Sequence, residues 1–183
     1  MKKILTFAVL CITLTGCFRM TPSEEVDRYF EMYKGARDEG EINAQLLGYI
    51  NRVEGLTEEQ RDDYRNILEK QYDFLTYNIK DEEIDGDNAT VRVQIEVYDL
   101  QKVFRETANY VEENREEFYD EDDILNIETY NDYLLDQLRD NTDTTIYTIN
   151  IRLRKNNEDK KWDILPLSQD DLDKIHGVYE EAD

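Results

Sequence analysis

The chain has 183 residues, which argues for one compact domain with little room for a second. Twenty-two basic against forty-four acidic residues leave a formal net charge of −22, and this argues against a nucleic-acid binder, because phosphate contacts need basic patches. With 39% hydrophobic residues the chain can still form a core, and its charge suits high solubility and cationic partners.

At the N-terminus Met1-Lys2-Lys3 precedes an almost wholly apolar run over 4–14 and then Thr15-Gly16-Cys17. Basic, apolar and small residues in that order form the pattern of a secretory signal peptide. The run is shorter than the roughly 20 residues that span a bilayer. Leu14-Thr15-Gly16-Cys17 resembles the bacterial lipobox. That resemblance implies that the Cys17 thiol carries diacylglycerol and that the chain is cut just before it. Residues 1–16 are then a lipoprotein signal peptide, 17–20 the lipidated Cys with a short tether, and 21–183 a single α+β domain. An ordinary secreted protein, or a buried apolar N-terminal segment, is the competing reading. Two acyl chains suffice for stable anchoring, whereas one is marginal. Cys11 would leave with the signal peptide, so the mature chain would hold no cysteine pair and no internal disulfide. The tether reaches roughly 10–15 Å when extended, which would keep the domain near the bilayer. Its acidity would set it against an anionic membrane surface.

Thr21-Pro22-Ser23-Glu24 has the form of a helix start, with Thr as N-cap, Pro at the first helical position and Glu returning to the cap. Val26, Tyr29, Phe30 and Tyr33 follow at helical spacing, so a first helix is expected to about Arg37. A shorter second helix is expected through Ile42, Leu46, Leu47 and Ile50, broken by Gly55. Thr57-Glu58-Glu59-Gln60 is another capping box, and Tyr64, Ile67, Leu68, Tyr72 and Leu75 continue one apolar face beyond it.

Period two then replaces period 3.6. Leu75, Tyr77 and Ile79 alternate into Asp85-Gly86-Asp87-Asn88, and Ala89, Val91, Val93, Ile95 and Val97 alternate out, which predicts a β-hairpin with one buried face. Residues 102–139 return to helical composition in two pieces, one carrying Phe104, Ala108, Val111 and Phe118, the other Ile124, Ile127, Leu134, Leu135 and Leu138. Thr145, Tyr147, Ile149, Ile151 and Leu153 alternate again, a turn follows, and Trp162 and Ile164 make a short returning strand ended by Pro166. Ser168 is placed to cap a last helix with Leu172, Ile175, His176 and Tyr179 on one stripe.

This order predicts an α+β fold: N-terminal helices packed on a curved, mainly four-stranded antiparallel sheet, a helical insertion between two hairpins, and a C-terminal helix. The chain is similar to small Gram-positive lipoproteins with a cystatin-like, nuclear transport factor 2-like domain of unknown function. The matching features are the lipobox, the capped helices over 21–37 and 57–72, the hairpins over 79–97 and 147–164, and the tail Asp170-Asp171-Leu172-Asp173-Lys174-Ile175-His176-Gly177. The resemblance rests on element order. It implies a sheet whose concavity can leave a pocket, one that the insertion at 102–139 could cover or remodel, and a plasma-membrane location with the domain facing outwards.

The inventory of reactive groups is short. Beyond residue 16, Ser23 and Ser168 are the only serines, both at or beside helix starts where capping accounts for them. His176 is the sole imidazole and lies eight residues from Ser168, about 12 Å along a helix axis at ~1.5 Å per residue, so a Ser-His hydrolase arrangement is disfavoured. A structural role at a helix end is the expectation for His176. Without a free thiol, Cys-His catalysis and thiolate zinc sites fall away, and no phosphate loop of the GxGxxG or GxxxxGK type occurs. Asp81, Glu83, Asp85 and Gly86 match positions one, three, five and six of an EF-hand loop. Asn88 and Arg92 stand where an apolar residue and Glu belong, so the hairpin reading is preferred.

Eight acids crowd one stretch, Glu112, Glu113, Glu116, Glu117, Asp120, Glu121, Asp122 and Asp123, with only Arg115 among them. A solvated helix end and loop is the plain reading; a weak divalent-cation or cationic-ligand patch is the functional one. Thirteen tyrosines invite a carbohydrate- or peptide-binding reading, but Tyr29, Tyr33, Tyr64, Tyr72, Tyr147 and Tyr179 fall on expected buried stripes, and Trp162 reads as a core anchor. No cofactor is implied. The leading expectation is a lipid-anchored extracytoplasmic binding or interaction module, attached to the cell membrane through diacylglycerol on Cys17, whose ligand is a small molecule, a cation or an envelope protein. The alternatives are a small pocket enzyme using Asp/Glu/Tyr acid-base chemistry and an envelope accessory protein acting through a protein partner.

Overall fold

A computed structural model describes residues 20–35 and 40–181. The expected signal segment, Cys11, Cys17 and the expected helix end at Arg37 lie outside the described residues. Three helices come first, α1 (Pro22–Gly35), α2 (Gly40–Ile50) and α3 (Glu58–Phe74). A hairpin of β1 (Thr76–Asp85) and β2 (Asn88–Tyr98) follows, then α4 (Leu100–Glu113), α5 (Arg115–Phe118) and α6 (Ile127–Asp140). The chain closes with β3 (Thr144–Lys155), β4 (Trp162–Ile164) and α7 (Gln169–Ile175). The strands form one antiparallel sheet in the order β1-β2-β3-β4, so the α+β class and the element order expected from the sequence are those of the molecule.

Alternation sets the sheet's two faces. Val91, Val93, Ile95 and Val97 of β2, with Ile149, Ile151 and Leu153 of β3, are buried beneath α1, α3 and α7, while Arg92, Asn150, Arg152 and Arg154 stand on the exposed face. The turn at Gly86-Asp87 joins Asp85 to the paired Asn88, and Gly86 has φ +60°, the left-handed value that a two-residue hairpin with Gly first requires.

Both expected capping boxes form. Thr57 Oγ1 accepts from the Gln60 amide at 3.2 Å while Gln60 Oε1 accepts from the Thr57 amide at 2.9 Å, and Thr21 and Glu24 exchange the same bonds at 3.2 and 2.7 Å. The start of α1 is also fixed to the sheet: Glu82 Oε2 accepts from the Ser23 amide at 2.8 Å and from its hydroxyl at 2.6 Å. A carboxylate beside orphan amides at a helix start complements the helix dipole. Glu82 reaches that position because a bulge between Ile79 and Asp81 shifts the β1 register, which the alternating sequence did not announce.

Several expectations are corrected. The helix α4 begins at Leu100 behind an Asp99 cap and buries Val103, Thr107 and Val111, whereas Ala108 is exposed. Ile124 and Ile127 are exposed rather than on a core stripe, as is Leu47 of α2. Tyr29, Tyr33, Tyr64 and Tyr72 are buried as expected, but Tyr147 and Tyr179 are only half-buried, because each ring packs edge-on against the other near the chain end rather than beneath a helix. Trp162 is buried.

Candidate functional site

The helical insertion, instead of lying over a pocket in the sheet, encloses a groove between its own two long helices. Asp99 caps α4 by accepting from the Lys102 amide at 3.0 Å, and Asn126 caps α6 by accepting from the Thr129 amide at 3.2 Å. Each helix turns one stripe inward, α4 with Leu100, Val103 and Val111, α6 with Leu134, Leu135 and Leu138. Their flanks bound a cavity of about 440 Å³ that runs from Tyr110 and Tyr133 past Thr107 and Gln137 to the loop over 140–143. This falls in the ordinary size range of small-ligand sites.

Its walls combine ring faces with carboxylates. The Tyr110 and Tyr133 rings stack with centroids 4.9 Å apart and planes 15° apart, and Phe118 meets both edge-on at 6.2 and 5.5 Å. Glu106, Asp140 and Asp143 supply carboxylates. Lys102 bonds to Asp143 and lies 3.7 Å from Glu106, one ammonium against two carboxylates, and Asp140 has no ion-pair partner among the described residues, so the groove is net acidic. In the wall, the Thr107 hydroxyl oxygen is buried without a hydrogen-bond partner among the described residues. Stacking surface, an amide and carboxylates suit an organic ligand that carries hydroxyl or ammonium groups. Sequence reasoning did not find this groove. A signal was present in that Tyr110 and Tyr133 lie off the apolar stripes of their helices, where a large ring has no core to fill.

The acidic run does not form one centre. Arg115 pairs with Glu112 and Asp123, each at 2.7 Å, and these charges hold its guanidinium pKa well above the usual value. Glu112 also accepts from the Tyr119 hydroxyl at 3.0 Å. Asp120 Oδ1 accepts from the Asp122 and Ile124 amides at 2.9 Å each, closing the small loop bracketed by the Tyr119–Leu125 bridge. Glu113, Glu116, Glu117, Glu121 and Asp122 are exposed. Among the described residues no three acidic, His or Cys side chains are grouped to hold a metal ion. Asp81, Glu83 and Asp85 lie along β1, opposite Arg92, Thr90 and Asn88 of β2.

Ser168 caps α7 by accepting from the Asp171 amide at 3.2 Å. His176 is the C-cap residue of that helix and fully buried. Its Nδ1 donates to the Leu172 carbonyl at 2.7 Å, so Nε2 is the acceptor of a hydrogen bond from the Tyr72 hydroxyl at 2.8 Å. The Tyr49 ring stacks on the imidazole at 3.7 Å. Burial pushes the His176 pKa down to about 4. The expected structural role at a helix end is the one it fills.

One Asp-Tyr pair sits beside a second, smaller cavity of about 200 Å³. Tyr49 donates to Asp173 at 2.6 Å, and Arg52 and Gln169 donate to the same oxygen at 2.8 Å each. Burial works against the Asp173 charge, but the bonds from Tyr49, Arg52 and Gln169 together hold its carboxyl below the usual range. Burial and then the bond to Asp173 raise the Tyr49 phenol. Acid-base catalysis near neutral pH wants both groups near 7, and this arrangement moves them apart. Comparison with family models, curated proteins and solved structures yields no significant match.

Proposed function

We propose that the chain is a lipid-anchored, extracytoplasmic binding module, held to the cell membrane by diacylglycerol on Cys17 and offering the α4–α6 groove to a small organic ligand. The observation that carries the anchor is Leu14-Thr15-Gly16-Cys17 directly behind a basic and then apolar segment. The resemblance to cystatin-like lipoproteins of Gram-positive cells points the same way. Support for binding rather than turnover comes from how the reactive groups are used: Ser23 and Ser168 serve helix starts, His176 is enclosed in the core, and the Tyr49-Asp173 pair is tuned away from proton transfer.

Expression in a bacterial host fed labelled palmitate tests the anchor. The wild-type chain should incorporate label and sediment with membranes, and Cys17→Ala should do neither. A wild-type chain without label, or label unchanged by Cys17→Ala, contradicts the proposal.

A further inference from the structure

The cavity of about 200 Å³ beside Tyr49 differs from the groove in its chemistry. The rings of Tyr49, Tyr64 and Phe104 and the side chains of Val53 and Val178 wall it, Arg52 and Gln101 supply further polar groups, and no carboxylate lines it among the described residues. The one charge on its lining is therefore a guanidinium, in a chain with twice as many acidic as basic residues. Although α4 contributes to both, cavity and groove share no lining residue. The volume lies below that of pockets for drug-sized ligands, so the occupant it fits is small.

Arg52 is exposed, yet it is held in place. It follows Tyr49 by three residues, about one helical turn, and its guanidinium lies 4.0 Å from the centroid of that ring. The buried His176 imidazole stacks on the ring's other face at 3.7 Å, so the guanidinium rests on a stack rooted in the core. Asp173, which does not line the cavity, accepts from Arg52 Nη1 at 2.8 Å. A side chain fixed at two points has already lost much of the rotamer freedom that binding would cost it. Two other arginines of this chain show what such a fork accommodates. Arg115 holds Glu112 on Nη1 and Asp123 on Nη2, and Arg139 holds Asp136 on Nη1 and Asp63 on Nη2. Arg52 has Asp173 on Nη1 and no second carboxylate among the described residues.

Tyr64 of α3 is only 2% exposed, and its hydroxyl has no hydrogen-bond partner among the described residues. A buried phenol ordinarily finds one. Unlike the Thr107 hydroxyl, this one is not sealed off, so the little surface Tyr64 keeps presents its hydroxyl to the cavity it lines. The Arg52 charge acts on that phenol, opposing the rise in pKa that burial imposes, which sets guanidinium and hydroxyl near each other. The half-buried Gln101 side-chain amide also lacks a partner among the described residues.

We infer that this cavity is a binding site for a small carboxylate with an apolar body: Arg52 takes the carboxylate beside Asp173, the Tyr64 hydroxyl and the Gln101 amide donate to it, and the rings enclose the body. A guanidinium has donors only, and a phenol and an amide can both donate, so the set matches an acceptor. The net acidic groove repels the same ligand, and the two sites divide by charge.

The test is calorimetric titration of the full chain with benzoate, phenylacetate and hexanoate, each beside its uncharged amide, at constant ionic strength. At least one acid should bind, and roughly ten-fold or more tightly than its amide. Tyr64→Phe removes a single oxygen that has no partner among the described residues, so the variant should fold as the wild type does. It should weaken binding of that acid roughly ten-fold, the loss of one hydrogen bond to a charged acceptor. Arg52→Gln should bring acid and amide to equal affinity; if that variant does not fold, the amide comparison and Tyr64→Phe decide alone. No acid bound at about 10 mM, an acid bound no better than its amide, or binding indifferent to Tyr64→Phe overturns the proposal. Binding indifferent to Tyr64→Phe but lost in Tyr133→Ala would place the acid in the groove and overturn it equally.

Discussion

His176 shows how much one buried side chain can set. Its two nitrogens are committed to Leu172 and Tyr72, and burial keeps it neutral down to about pH 4. An unfolded chain, with an imidazole near 6.5, takes up between pH 6.5 and 4 the proton that the folded chain refuses. Stability due to this group is therefore complete above 6.5 and lost as pH falls through that window, by about 3 kcal/mol. Urea unfolding at pH 7 and 4.5 should show the loss, and His176→Gln should be less stable at pH 7 with a shallower dependence on pH. The next residue is constrained differently. Gly177, at φ +72°, closes α7 in a Schellman motif, with its amide on the Lys174 carbonyl at 3.2 Å and the Val178 amide on Asp173 at 2.9 Å. A Cβ there would clash with the Tyr98 carbonyl oxygen. Gly177→Ala should lower stability by more than about 1 kcal/mol, read by the same unfolding experiment, because strained φ and the clash add.

Among the elements, those governed by local chemistry were legible. Thr21, Thr57 and Ser168 each cap the helix that their spacing indicated, and Gly86 turns the hairpin. Thr57→Ala should cost about 1 kcal/mol in thermal or urea unfolding, since it removes one half of a complete capping box. What the sequence hid depends on contacts distant along the chain. The bulge in β1 places Glu82 under α1, a relation across fifty-nine residues that no local pattern encodes. The phase of α4 was misread because Thr107, a polar residue, occupies the buried stripe while Ala108 faces out. The groove was missed for the same reason: Tyr110 and Tyr133 come together only once α4 packs on α6. The acidic run, conspicuous in the sequence, is spread over a helix end, a short helix and a loop.

At the scale of the molecule, a net charge of −22 on the chain stores self-repulsion that salt screens. The melting temperature should rise between 10 mM and about 150 mM sodium chloride, over which the screening length falls from about 30 Å to about 8 Å. Calcium at matched ionic strength should add nothing further, because among the described residues no three acids converge; a calcium-specific rise would revive the cation patch at 112–123. The claim most directly open to test is that the groove is the binding site. A thermal-shift screen of the wild type and of Tyr133→Ala combined with Asp140→Asn, against muropeptides, short peptides, sugars and amines at constant ionic strength, addresses it. The account predicts a ligand that stabilises the wild type, by about 2.7 kcal/mol at a hundred times its Kd, and leaves the variant's melting temperature unmoved. A ligand that stabilises both proteins equally, or one that the wild type turns over, would contradict it.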